Sequence, residues 1–113
     1  MPDYYFHYTS RMAAQSILSS GRLEAGISGL IYLSLDVYGE GARAVDTLAL
    51  VDKPIEVVGV VPAAVASGAL IRYVLPLYDP VSGMLVRKGG GTQITIPGPL
   101  PGADIRWLVL SLP

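Results

Sequence analysis

The chain has 113 residues, of which 51% are hydrophobic and 15% charged, and its formal net charge is −1. That length holds one small domain over 1–113 with a single modest core, and the charge balance carries no basic footprint for duplex nucleic acid. Cysteine is absent and histidine occurs once, which excludes disulfides and thiolate chemistry and argues against a structural zinc site, so no metal ligands are assigned.

The elements read as follows in chain order. "DYYFHYT" is a short aromatic, β-favouring run and predicts a strand that carries His7. Ser10 is placed as the N-cap of a helix over "RMAAQSILSS", with Met12, Ile17 and Leu18 on roughly one face and Gly21 as the residue that ends it. "RLEAGISG" reads as a loop with Leu23 pinned to the core, and "LIYLSL" as a strand through Tyr32 and Ser34. Asp36 is placed as the cap of a second helix, "VYGEGARAVDTLAL", whose first turns Gly39 and Gly41 weaken. "DKP" predicts a turn and "IEVVGVV" a valine-rich strand. Pro62 suits the first position of a short helix, "PAAVAS", ended by Gly68. "LIRYVLPLY" reads as a strand whose Pro76 marks an edge or a bulge, "DPVSG" as a turn, and "GGGTQITIPGPLPG" as a glycine platform, a strand and a Pro/Gly turn. "IRWLVLSL" is the last strand. Helices segregated early and strands late predict an α+β domain. No apolar stretch reaches the ~18 residues of a membrane span, and no basic segment followed by an apolar run marks a secretory leader.

Three strand segments combine polar side chains with apolar neighbours: "FHYTS", "GLIYLSLD" and "GGGTQITI". Taken singly, each has a structural reading. A lone histidine in an aromatic strand is by default a core residue, Tyr32 a core tyrosine, and Gln93, alternating with Ile94 and Ile96, a solvent-face residue. Glu40 and Asp46 read as solvated charges, and Arg22 and Arg72 as surface arginines.

The ordered set resembles a family. His7-Tyr8-Thr9, then Ala14, Ile17, Leu18, Gly21 and Leu23, then Ile31-Tyr32-Leu33-Ser34, look like the front half of an ADP-ribosyltransferase of the diphtheria-toxin type, in its H-Y-[D/E] bacterial toxin branch. The resemblance covers nearly the first 40 residues, and Gln93 falls at the late-strand position where many members carry Glu. It implies a split β-sheet core with two early helices, and NAD⁺ as the substrate. It further implies that His7 bonds the adenine-side ribose, that the Tyr8 backbone holds the nicotinamide amide, and that the Thr9 hydroxyl supports the ribose or the strand end. Tyr32 would stack on the nicotinamide ring, Ser34 belongs to the same strand motif, and Gln93 would position the nicotinamide ribose. The glycines of 89–91 would let backbone lie close to the ligand or turn sharply.

Two departures are visible. The family's second aromatic falls on Arg43, with Tyr38 near enough to substitute, and Gln93 brings an amide where a carboxylate would stabilise developing positive charge. The resemblance implies a toxin domain that transfers ADP-ribose to a macromolecular acceptor. A glycohydrolase with water as acceptor and a degenerate, non-catalytic binding module are the alternatives. It also implies action in the cytoplasm of a target cell, as a free-standing domain or as a piece of a larger secreted protein, and a neutralising immunity or antitoxin partner.

Overall fold

The computed structural model of the protein describes residues 3–25, 29–50, 54–66 and 69–110. In chain order they form β1 (Tyr4–Thr9), α1 (Arg11–Ser20), β2 (Arg22–Leu23), β3 (Leu30–Leu33), α2 (Gly41–Thr47) and β4 (Val57–Pro62). Then come β5 (Leu70–Tyr73), β6 (Leu77–Tyr78), β7 (Leu85–Arg87), β8 (Thr92–Pro97), β9 (Leu100–Pro101) and β10 (Arg106–Val109), with 3₁₀ turns at Ala63–Val65 and Gly102–Asp104. This is an α+β domain with two α-helices and antiparallel sheets.

Two three-stranded sheets carry the fold, β1-β4-β10 and β3-β8-β5, beside the small pairs β2-β9 and β6-β7. Alternation along β1 divides its side chains between two cores. Tyr5, with Val61 opposite it on β4, faces Ile17 of α1 and the inward residues Ile31, Leu33, Ile94 and Ile96 of the second sheet. Tyr8, with Val58 opposite, faces Ala44 of α2, Ile55 and Leu110. The first sheet is therefore a wall between the two cores, and the candidate site lies at its β1 edge.

The local reasons are specific. The Ser10 hydroxyl accepts from the Ala13 N–H at 3.2 Å and starts α1, and Gly21 ends it at φ 76°, its N–H donating to the Ile17 carbonyl. The helix buries Ala14 and Ile17, whereas Met12 and Leu18 are exposed. Its apolar face is narrower than the sequence pattern suggests, since Ile17 is the one residue of the expected Met12–Ile17–Leu18 face that is buried. Leu23 is pinned to the core as expected, through pairing with Leu100.

Asp36 does not cap the second helix. That helix starts at Gly41, after Glu40, which makes no side-chain capping bond. A Cβ at Gly41 would collide with the Ile55 carbonyl oxygen, so the helix begins at a glycine because the Ile55 backbone lies against it. "LIRYVLPLY" is not one strand: it breaks at 74–76, between β5 and β6. The turn at Asp79–Gly83 forms as read, its Asp79 carboxylate accepting from the Val81 N–H at 2.9 Å. The first two residues of "DKP", the Gly68 helix end and the last residues of the C-terminal strand lie outside the described residues. Among the described residues, no helix is long and apolar enough to cross a membrane.

Candidate functional site where two strands part

Among the described residues, the backbones of the two main sheets are joined by one bridge. Phe6 and Ser34 exchange both backbone hydrogen bonds at 2.8 Å, after which β1 and β3 diverge. A cavity of about 700 Å³ opens there, a size suited to a small-molecule site. It is lined by residues 6–9 of β1, 30–33 of β3 with Ser34 beyond it, one face of α1, residues 22–24, the 48–50 loop, Val74, Thr92 and Gln93. His7, Tyr8, Thr9, Tyr32, Ser34 and Gln93, assigned from three separate stretches of sequence, all border it.

His7 is held from two sides. Its Nδ1 lies 3.0 Å from the Tyr32 carbonyl oxygen. A carbonyl only accepts, so Nδ1 carries the proton, and in the neutral ring Nε2 carries the lone pair. The second contact is a row across three strands. His7 pairs with Gly59, and Gly59 pairs with Trp107. A Cβ at Gly59 would meet the Trp107 ring at 2.9 Å, so the missing side chain is the slot through which the indole reaches the histidine. The two rings stand edge to face with centroids 6.5 Å apart. No motif marks Gly59 or Trp107 in the sequence, and only the register of the three strands aligns them.

Tyr32 and Gln93 occupy one face of the second sheet. Tyr32 lies opposite Thr95, and Gln93 is two residues along β8 from Thr95, a diagonal pair within reach of long side chains. Ile94 and Ile96 point into the core on the other face, and Tyr32 is 48% exposed. Arg72 sits beside Gln93 across the β5–β8 ladder.

Ser34 is a fastener. Its hydroxyl donates to Asp36 Oδ2 at 3.2 Å and accepts from the Asp36 N–H at 3.0 Å. Thr92 donates to the same carboxylate oxygen through its N–H at 2.5 Å and its hydroxyl at 2.9 Å, and accepts from the Leu35 N–H at 2.9 Å. Each hydroxyl has one proton, and both are given to Asp36, so the 3.2 Å approach of Ser34 to Thr92 is a consequence of the shared acceptor. Sequence reading placed Asp36 in a helix cap, and the structure makes it the knot that ties the end of β3 to the start of β8.

Tyr8 divides its roles. The backbone of Phe6 faces β3, and alternation turns the N–H and C=O of Tyr8 to the same side, where the strands have parted. Its side chain points to the other core, where the hydroxyl donates to the Asp36 carbonyl at 2.7 Å and accepts from the Tyr38 N–H at 2.8 Å. Burial pushes the Tyr8 phenol up to about 12. Tyr38 is not among the residues bordering the cavity. Its ring packs on Tyr8, with centroids 5.8 Å apart, beneath the Arg43 guanidinium at 5.7 Å. Position 43 thus holds a cation over Tyr38 and completes no aromatic sandwich.

Thr9 is fully buried, and its hydroxyl oxygen has no hydrogen-bond partner among the described residues. Thr9 also borders the cavity, so a polar occupant reaching that oxygen would satisfy it. The glycine run turns the chain sharply, at φ 69° in Gly89 and 90° in Gly90, against the end of α2. The N–H groups of Gly89 and Gly91 donate to the Asp46 and Thr47 carbonyls at 3.0 and 3.1 Å, closing the C-terminal end of α2. The Lys88 N–H adds a bond to the Asp46 carboxylate at 2.8 Å, so Asp46 is not merely solvated. Arg22 and Glu24, the charged side chains on the cavity rim, pair with each other at 2.9 Å and are well exposed.

No family model, curated protein sequence or solved structure matches the chain.

Proposed function

We propose that the chain is an NAD⁺-cleaving domain of the ADP-ribosyltransferase type, acting as a toxin that passes ADP-ribose to a macromolecular acceptor in the cytoplasm of a target cell. The observation that carries this reading is the convergence of His7, Tyr32 and Gln93, from β1, β3 and β8, on one cavity at the parting of two strands. The fold that the reading implies, a split sheet, is consistent with two sheets joined by the Phe6–Ser34 bridge.

The chemistry suits those side chains. Breaking the bond between nicotinamide and ribose returns the bonding pair to the pyridinium nitrogen and leaves positive charge on the ribose. The acceptor then adds to that carbon and loses a proton. The leaving group is already good, so orientation and electrostatics matter more than a strong nucleophile. The exposed ring of Tyr32 offers a stacking surface for nicotinamide. The Tyr8 backbone groups face the opening and suit its carboxamide. His7, oriented by its bond to the Tyr32 carbonyl, borders the opening and would bond a ribose hydroxyl. Gln93 bonds the other ribose through a neutral amide.

That neutral amide favours a second reading, hydrolysis with water as acceptor. Among the described residues, Glu24 is the one carboxylate bordering the cavity, and Arg22 neutralises it. A site without a free carboxylate activates a poor acceptor weakly. Nicotinamide release from NAD⁺, followed with and without a cell lysate, separates the readings. Release with lysate and a labelled macromolecular product supports the transferase, and release without lysate supports the glycohydrolase. Absence of both release and calorimetric NAD⁺ binding would overturn the proposal, whereas binding without release leaves a non-catalytic module.

A further inference from the structure

Among the described residues, Arg22 is the one lysine or arginine bordering the cavity, and Glu24 the one carboxylate. The two meet at 2.9 Å, with side chains 61% and 57% exposed. An ion pair so open to water is worth little, so a stronger anion displaces the carboxylate at small cost. A phosphate group is such an anion, because the guanidinium fork gives its oxygens two parallel N–H bonds.

The backbone beneath Arg22 is fixed. The Ser20 hydroxyl donates to the Arg22 carbonyl at 3.0 Å and accepts from the Arg22 N–H at 3.3 Å. The Gly21 carbonyl accepts from the Gly102 N–H at 2.8 Å, and Leu23 is buried opposite Leu100. The base of Arg22 is thus anchored on both sides while its guanidinium stays in water. The pair also has a definite place along the cavity. A Cβ at Gly98 would lie 2.9 Å from Ala25 Cβ, which sets this stretch against the end of β8 at Pro97. Gln93 lies four residues back along β8, about 13 Å at the usual strand rise.

We propose that Arg22 is the phosphate station of the cavity, a station that Glu24 holds until a phosphate group of the dinucleotide displaces it. The inference rests on the NAD⁺ reading above, and adds which charge is met, where, and against which internal competitor. The phosphate is the pyrophosphate bridge or, in NADP⁺, the 2′-phosphate of the adenine-side ribose. The exchange frees the Glu24 carboxylate at the end of the cavity away from Gln93, so the reacting ribose gains no base from it.

Calorimetric titration of the parent chain, Arg22→Gln, Glu24→Gln and the double variant with NAD⁺ and with NADP⁺ tests the exchange. Where turnover intervenes, the KM for nicotinamide release replaces the dissociation constant. Arg22→Gln is expected to weaken binding about tenfold. Glu24→Gln removes the competitor and is expected to tighten it about 2–5-fold. The double variant should match Arg22→Gln, because Glu24 acts only through Arg22. An equal loss for both dinucleotides assigns the pyrophosphate, and a loss confined to NADP⁺ assigns the 2′-phosphate. Unchanged binding of both dinucleotides by Arg22→Gln overturns the station and leaves the NAD⁺ reading standing. So does a Glu24→Gln chain that binds no more tightly, or one whose gain persists without Arg22, since a carboxylate repelling phosphate at large needs no exchange. A parent chain that binds neither dinucleotide overturns both.

Discussion

Gly59→Ala probes the row His7–Gly59–Trp107 directly. The added Cβ would lie 2.8 Å from Ile105 Cγ2 and 2.9 and 3.0 Å from two carbons of the Trp107 ring. Carbon atoms prefer about 3.5–4.0 Å, so the neighbours must retreat by roughly 0.5–1 Å. The indole has little freedom to do so, being partly buried against the core with its Nε1 enclosed. Overpacking of this kind costs about 1–3 kcal/mol. Replacing a strand glycine by alanine returns roughly 0.5–1 kcal/mol of backbone entropy. The net expectation is a loss of about 1–2 kcal/mol, or roughly 5–10 °C in melting temperature for a domain of this size. Trp107 is the one tryptophan in the chain, so its emission reports the displacement while circular dichroism reports unfolding. Trp107→Leu in the same chain removes the two ring contacts and leaves the one with Ile105, so the double variant should lose at least about 0.5 kcal/mol less than the two single losses added. A Gly59→Ala protein with unchanged melting and unchanged emission would refute the slot, and with it the account of how His7 is held.

Asp36→Ala leaves the Thr92 N–H and two hydroxyls without their shared acceptor. It should cost about 2–4 kcal/mol in urea denaturation and reduce nicotinamide release, with Asp36→Asn milder because an oxygen remains. Tyr8 titrates in the folded protein at about 12 and at its ordinary 10.0 when unfolded. The folded state therefore holds this proton more tightly, and the stability that this gives is complete below about pH 10 and is lost as pH rises toward 12. Melting curves across that range should fall more steeply for the parent than for Tyr8→Phe. Gly91→Ala, whose Cβ would sit 2.7 Å from Leu48 Cδ2 and 3.0 Å from the Thr47 carbonyl, should destabilise by overpacking at the α2 end. Gly90→Ala meets open space and should cost only the roughly 1–2 kcal/mol of a left-handed alanine at φ 90°. Thermal melts of the pair separate the two causes. His7→Ala and Gln93→Ala should each abolish release of nicotinamide without unfolding the chain, and folded variants that still release it would remove these residues from the site.

Features encoded within a few residues were legible in the sequence. Ser10 and Gly21 bound α1 because a cap needs only its own turn, and the Asp79–Gly83 turn closes on its own side chain. The Val-rich run "VVGVV" forms β4, a strand as read. Features that depend on distant partners were not legible. Asp36 has the composition of a helix cap, and its real partners lie 56 residues away at Thr92. The glycines of 89–91 read as a sharp turn or as backbone close to a ligand, and nothing local shows that the α2 end lies against that turn. Of the candidate site, the residues themselves could be chosen from sequence, but their division of labour could not. Ser34 fastens, Tyr38 supports Tyr8, and Tyr8 offers its backbone while its phenol serves the other core.

The single bridge between Phe6 and Ser34 also sets the mechanical compliance of the cleft. Widening either sheet breaks a ladder of several bonds, whereas widening the cleft strains the two backbone bonds of this bridge together with the side-chain bonds that His7 and Tyr8 make to Tyr32, Asp36 and Tyr38. Bulk entering between β1 and β3 is therefore accommodated by the two sheets leaning apart as stiff plates, with the Ser34–Asp36–Thr92 knot keeping the second plate whole. The amide protons of Phe6 and Ser34 are the natural strain gauge for that motion, since they exchange with solvent only when the plates separate.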